Sequence, residues 1–296
     1  MSVNRYALTL GEQSEIHVGC QIYGNGLAND GFTVDELRAV AKSYGDKARV
    51  VNLTAALPEQ HRAGNEAGIL IIKGGVDAIM SIKGYSKEMF DEQELVKYDE
   101  FYFDNRQKKK LNKIARHNAV FGDVHVPHSE DYRQSTVIAY DDVPMFKAFR
   151  AKLPEVFGEK ARGLESEGNH YYCAKSGIGF HGDAERRKVI CASLGTGTVL
   201  HMYWRLPRSS NQGSAMFQFQ LEEGDVYAFS EKATGYDWRS SSKCRLVHGA
   251  GAQKYVVPKV MEMKIEVKKA IVKNNRKRKW GDEVAAAAEA AEGHHV

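Results

Sequence analysis

Between residues 169 and 267, eight short apolar runs follow one another: NHYYCA, GIGFH, KVICASLG, TVLHMYW, AMFQFQL, DVYAFS, CRLVHG and KVMEMKIEV. Glycine, serine, asparagine or charged residues separate them, and runs so short and so rich in β-branched and aromatic side chains suit strands. A succession of this kind has to bury its sheet faces against another sheet or against helices. A helical partner lies just upstream. VPMFKAFRAKLPEVFGEKA places Met145, Phe146, Phe149 and Leu153 on one helical face. The expected class is therefore α+β, a β-sandwich or jelly-roll core with helices buttressing one sheet.

The first 95 residues read differently. FTVDELRAVAKSYG spaces Val34, Leu37, Val40 and Ala41 as a helix face, with Thr33 as N-cap and Gly45 as stop. ARVVNL and AGILIIKGG read as short buried strands. These features predict a small N-terminal α/β region over residues 1–95 that packs on the strand-rich remainder of the chain. The glycines of YGNGLANDG lack a strand-to-helix context and read as a solvent loop, not a phosphate cradle.

Composition narrows the function classes. No apolar run is long enough to span a bilayer, and the first residues lack a basic segment followed by an apolar core. Cys20, Cys173, Cys191 and Cys244 are widely spaced and form no Cys-x-x-Cys pair. That pattern fits neither a zinc knuckle nor a disulfide framework. The expectation is an intracellular protein, cytoplasmic or nuclear, with no membrane partner. Charge is uneven: residues 1–95 carry −4 and the remainder +8, which tilts the later part toward an anionic partner. Residues 268–296 read as a tail, basic through NNRKRK and then Ala/Glu-rich and disordered.

One short stretch points to chemistry. GIGFHGDAERRK puts His181 and Asp183 two residues apart, and on a strand such residues share a face and can reach one ion. Two histidines and a carboxylate would make a facial triad that leaves coordination positions open, the arrangement of non-haem iron(II) oxygenases. His248, at the end of a late strand, is the candidate third ligand. His201, between apolar residues, reads as packed or substrate-facing.

Several motifs in order then resemble the AlkB-like branch of the iron(II)/2-oxoglutarate dioxygenases. They are ARHNAVFGD, the helix VPMFKAFRAKLPEVF, GNHYY for an Asn-x-Tyr, FHGDAE for a His-x-Asp-x-Glu, SLG at 193–195, and LEEGDVYAF. The resemblance covers residues 96–267 and implies a double-stranded β-helix. It further implies Fe(II) on His181, Asp183 and His248, with 2-oxoglutarate as co-substrate and O2 as oxidant. Asn169 and Tyr171 match the Asn-x-Tyr that hydrogen-bonds the co-substrate, with Tyr172 a competitor in register. Two departures stand out. EKATGYDWRSSSK is inserted before His248, and the strand after it carries no arginine to anchor the co-substrate's far carboxylate. Lys264 is preferred as its substitute, with Lys254, Lys259 or, in a shifted register, Arg245 as alternatives.

The implied reaction is oxidation of a modified nucleobase in DNA or RNA. The basic and aromatic segment DNRQKKKLNKIARHNAVF suits a phosphate backbone and an extruded base; a solvated helix is its plain alternative. Arg116, Arg186 and Arg187 are the candidate substrate contacts. A protein side-chain hydroxylase and a non-catalytic jelly-roll binding module are the competing readings.

Overall fold

The computed structural model describes residues 3–15, 22–24, 26–208 and 213–257. In chain order its strands are β1 (Arg5–Gly11), β2 (Ser14–Glu15), β3 (Ile22–Tyr23), β4 (Ala48–Asn52), β5 (Gly68–Ile72), β6 (Phe101–Asp104), β7 (Lys109–Asn112) and β8 (His117–Gly122). They continue with β9 (Val137–Ala139), β10 (Glu165–Tyr171), β11 (Gly177–His181), β12 (Val189–Gly195), β13 (Thr198–Arg205), β14 (Phe217–Leu221), β15 (Val226–Phe229) and β16 (Arg245–Gly251). The α-helices are α1 (Val34–Tyr44), α2 (Gly75–Met80), α3 (Tyr85–Leu95), α4 (Pro144–Phe157), α5 (Glu231–Thr234) and α6 (Gln253–Val256).

Eight strands form one large sheet in the order β4-β5-β15-β12-β1-β10-β8-β9, and four form a second in the order β11-β16-β13-β14. All pairings in these two sheets are antiparallel except β8 with β9. The fold is a β-rich α+β arrangement dominated by antiparallel sheet.

Alternation along the strands builds two cores. On β5 every residue is buried: Leu70 and Ile72 join the helix-side core, and Ile69 and Ile71 the core between the sheets. The helix-side core adds Leu8 and Leu10 of β1, Leu37 of α1, and Phe146, Phe149 and Leu153 of α4. The inter-sheet core gathers Leu200, Met202 and Trp204 of β13 and Leu246 of β16. The Trp204 indole N–H donates to the Leu53 carbonyl at 2.8 Å, so this large side chain is buried without an orphaned donor.

Helix α1 begins and ends where its caps dictate. Thr33 accepts from the Glu36 N–H while the Glu36 carboxylate accepts from the Thr33 N–H, a complete capping box. Gly45 closes the helix at φ 53°, a conformation a side chain would strain.

Three expectations change. The region over 1–95, expected to pack on the strand-rich remainder, shares its sheet: β1 lies mid-sheet between β10 and β12, and β5 pairs with β15. Met1–Val256 form one compact unit. Apolar pattern identifies a strand but not its hydrogen-bonding partner, which hides this interleaving. Strand β4, expected to be buried, is a half-exposed edge. The basic segment is not a helix: it turns the hairpin β6–β7 at Lys108, with φ 53°, and runs on into β8. The run KVMEMKIEV, Lys259, Lys264 and the tail at 268–296 lie outside the described residues. Among the described residues no helix is long and apolar enough to cross a membrane.

Leu8 is fully buried on a central strand, so Leu8→Ala should cost about 2–5 kcal/mol in urea unfolding. Removing only the cap, by Thr33→Ala, should cost about 1 kcal/mol.

Candidate metal centre

Strand β11 ends at His181, and β16 places His248 directly opposite it in the antiparallel register. The pairing on β11 shifts between Ile178 and His181, an irregularity of the kind that re-aims a side chain next to a site. Asp183 lies in the turn beyond, where its N–H donates to the Thr234 carbonyl at 2.9 Å and its own carbonyl accepts from the Arg186 N–H at 3.1 Å. His181 Nε2 and His248 Nε2 each lie 3.5 Å from Asp183 Oδ1. The three donor atoms all sit within 4.8 Å of one another. Two imidazoles and a carboxylate at that separation are a set that a divalent transition ion can draw together.

Orientation of the rings supports the same reading. His181 Nδ1 is 2.8 Å from the Gly179 carbonyl. A carbonyl only accepts, so Nδ1 carries the proton and Nε2 presents its lone pair to the centre. The His248 ring packs against Phe229 with centroids 5.2 Å apart, and its Nδ1 is buried with no partner among the described residues.

Electrostatics favour the forms of His181 and Asp183 that could bind a metal ion. Burial, with His248 beside it, pushes His181 down to about 3, so its imidazole is neutral at ordinary pH. Burial alone would raise Asp183, but His248 and then Arg186 outweigh it and hold the carboxylate well below its usual range. Glu185 is the contrary case. Burial lifts it to about 8 despite the neighbouring Arg186, so this carboxyl holds its proton near neutrality.

The cluster opens into a cavity of about 440 Å³ between the two sheets. Room exists because β1 turns Tyr6, Leu8 and Leu10 toward the helices and presents only Ala7 and Thr9 to the cavity. The inserted segment lies against the metal-ligand turn and contributes Trp238 and Arg239 to the wall. A Cβ on Gly182 would sit 2.3 Å from the Gly235 carbonyl oxygen and 2.7 Å from Trp238 Cβ, so the close approach requires glycine there.

Asn169 and Tyr171, alternate residues on β10, both line the cavity. Tyr172 faces the other way, its hydroxyl donating to the Ile114 carbonyl at 2.9 Å and its ring stacked on His117 at 4.1 Å. Strand alternation thus separates the two tyrosines that the sequence leaves in competition. Arg116 also lines the cavity, and its Nε donates to Asn169 Oδ1 at 2.5 Å.

Two of the expected substrate arginines are already paired within the protein, Arg186 in the cavity wall and Arg187 outside it. Arg186 is buried, donating Nε–H to the Gln13 carbonyl at 2.6 Å and pairing with Glu167 at 2.7 Å. Arg187 pairs with Glu231 at 2.8 Å and lies 4.5 Å over the Tyr236 ring, outside the cavity wall. The turn after Asp183 folds inward against the N-terminal strand region, so ERRK is not the solvent-facing rim its charge suggests. Arg245 and Lys254 do not line the cavity either; Lys254 lies over the neighbouring Tyr255 ring. His201 stays outside the metal cluster, its Nδ1 3.1 Å from the Val199 carbonyl.

Glu167, Trp238 and Arg239 belong to the site but were not anticipated. Glu167 shares the β10 face with Asn169 and Tyr171, a period-two signal open to detection. Nothing in local spacing announces that the insertion folds onto the cavity.

His181→Ala, Asp183→Ala or His248→Ala should each weaken Mn(II) or Co(II) binding by roughly 100-fold or more, measured by calorimetry, with the circular dichroism spectrum retained. Glu185 supplies a second test, on metal-free protein. Its folded value of about 8 lies above the ordinary 4.5, so its stabilising contribution is complete below about 4.5 and lost as pH rises through about 8. Glu185→Gln should flatten that part of the melting temperature profile.

No protein-family model matches the chain. It is 31% identical over 254 residues to an uncharacterized protein of Acanthamoeba polyphaga mimivirus, covering 84% of this chain and 96% of that protein.

Proposed function

The chain belongs to the same family as this mimivirus protein, and we propose that it is an Fe(II)- and 2-oxoglutarate-dependent dioxygenase of the AlkB-like kind, oxidising a modified nucleobase in DNA or RNA. The observation that carries the reading is the convergence of His181, Asp183 and His248 from two separate parts of the chain. The two facing antiparallel sheets, with the metal-ligand set between them, support a double-stranded β-helix.

The donor set fits iron(II). Two imidazoles and one carboxylate suit that ion and leave positions for a chelating co-substrate and dioxygen. When bound, iron supplies the oxidising chemistry that couples decarboxylation of 2-oxoglutarate to oxidation of a substrate C–H bond. The protein's own part is positioning. His181 is held in one tautomer by the Gly179 carbonyl. Asn169 and Tyr171 offer hydrogen-bonding groups beside the ligands, and Trp238 closes one wall against water. Glu185, protonated near neutrality, can donate a hydrogen bond to a substrate acceptor. A nitrogen-bound methyl oxidised in this cavity would depart as formaldehyde, whereas a carbon-bound methyl would remain as an alcohol.

Two features favour nucleic acid as substrate. The β6–β7 hairpin exposes Arg106, Lys108 and Lys109, a tip suited to phosphate contacts. The same segment runs directly into Arg116 in the cavity wall, linking a backbone-binding surface to the site where a base would be oxidised.

Protein reconstituted with Fe(II) should release succinate from 2-oxoglutarate, and methylated oligonucleotides should stimulate that release while peptides do not. Mass spectrometry of the products identifies the oxidised position. Stimulation by peptides alone would replace the nucleobase reading with side-chain hydroxylation. Absence of succinate with every substrate would leave a binding module.

A further inference from the structure

The cavity contains a chain of polar contacts that ends on a half-buried cation without a counter-charge among the described residues. Arg186 pairs with Glu167 at 2.7 Å, Glu167 Oε1 accepts from Asn169 Nδ2 at 2.9 Å, and Asn169 Oδ1 accepts from Arg116 Nε at 2.5 Å. Glu167 is therefore matched by Arg186. Asp183 lies among the two imidazoles and Arg186. Arg116 has only the neutral amide of Asn169, and among the described residues no carboxylate oxygen lies within 4.0 Å of its guanidinium.

Arg116 is half-buried in the cavity wall, where an anionic ligand can reach it. The geometry also says which edge is available. With Nε committed to Asn169, the two terminal nitrogens remain, a pair of donors that suits a carboxylate. Arg239, the other arginine of the wall beside Arg186, is exposed at the lip and lies 5.7 Å over the Trp238 ring, where solvent screens it.

We propose that Arg116, positioned by Asn169, receives the far carboxylate of a 2-oxo dicarboxylic acid bound at the metal centre and sets the preference for a dicarboxylic over a monocarboxylic co-substrate. The proposal rests on the oxygenase reading and explains a departure in the sequence: residues 249–267 carry no arginine because the cation comes from the segment just before β8. Arg116 thus leaves the substrate side of the site for the co-substrate side.

The test compares 2-oxoglutarate with 2-oxobutyrate, which keeps the chelating end and lacks the distal carboxylate. Binding to Mn(II)-loaded protein is followed by quenching of Trp238 fluorescence, with Trp238→Phe as control for the signal, and Mn(II) occupancy is read separately by electron paramagnetic resonance. Wild type should prefer 2-oxoglutarate by about 10- to 100-fold, the range expected for a charged carboxylate contact. In Arg116→Met that ratio should fall to near one with Mn(II) affinity unchanged, and Arg116→Lys should recover part of it. Arg162→Met, at an exposed arginine paired with Glu159 outside the cavity, should keep the full ratio. If Arg116→Met does not fold, Arg116→Lys and Arg116→Gln carry the comparison, and each should still lower the ratio. A preserved preference in a folded Arg116 variant that binds Mn(II) overturns the proposal and leaves the metal reading intact. Failure of wild type to bind Mn(II) overturns both.

Discussion

The site depends on one antiparallel register. β11 and β16 are separated by more than sixty residues of chain, yet their pairing sets His181 opposite His248. A slip of one residue would turn every side chain of one strand to the other face and move an imidazole out of the cluster. The register is held from both sides of β16, because β13 pairs along its other edge from Leu200–Ala250 to Arg205–Arg245. The buried Leu246 and Trp204, opposite one another in that ladder, lock it hydrophobically. The geometry of the His-Asp-His cluster is thus a by-product of core packing, which is why substitution of one of its members need not remove the fold.

Charge is organised around that register. The cavity buries Asp183, Glu167, Glu185 and Arg186 together, a concentration that no apolar pocket tolerates without compensation. Arg186 is the hinge of the arrangement, since it reaches Glu167 at 2.7 Å and stands 4.0 Å from Asp183. It pairs with the carboxylate that accepts from Asn169 and stands beside the carboxylate of the His-Asp-His cluster. Glu185 absorbs the excess by staying protonated. Removal of Arg186 would leave buried carboxylates unpaired, so its contribution is to the assembly of the site and not to the surface its sequence context suggests.

How much of this is legible in the sequence depends on the range of the information. Local pattern suffices for helix α1, whose Thr33 and Gly45 mark its ends, and for helix α4, whose Phe146, Phe149 and Leu153 are all buried. The pair His181 and Asp183 is visible through its two-residue spacing, although Asp183 lies in the turn beyond β11 and not on the strand as the spacing suggests. His248 is reachable only through a resemblance, since no local signal ties it to a strand sixty residues earlier. What stays hidden is tertiary. Neither the entry of β1 between β10 and β12 nor the inward turn of Arg186 leaves a periodic trace, and the insertion containing Trp238 reads as an ordinary polar loop.

The position of β1 has a further consequence for how such a site can arise. Its small residues Ala7 and Thr9 face the cavity while Tyr6, Leu8 and Leu10 face the helices, so one strand is both floor of the site and centre of the core. Bulk added on the cavity face would fill the space beside the metal ligands, and bulk removed from the helix face would loosen the sheet that carries Asn169 and Tyr171. The N-terminal residues are consequently bound into the chemistry as tightly as the strands that carry the ligands. A chain cut at residue 96 would expose the edges of β10 and β12, which β1 joins in the intact sheet, and would lose Ala7 and Thr9 from the lining of the cavity.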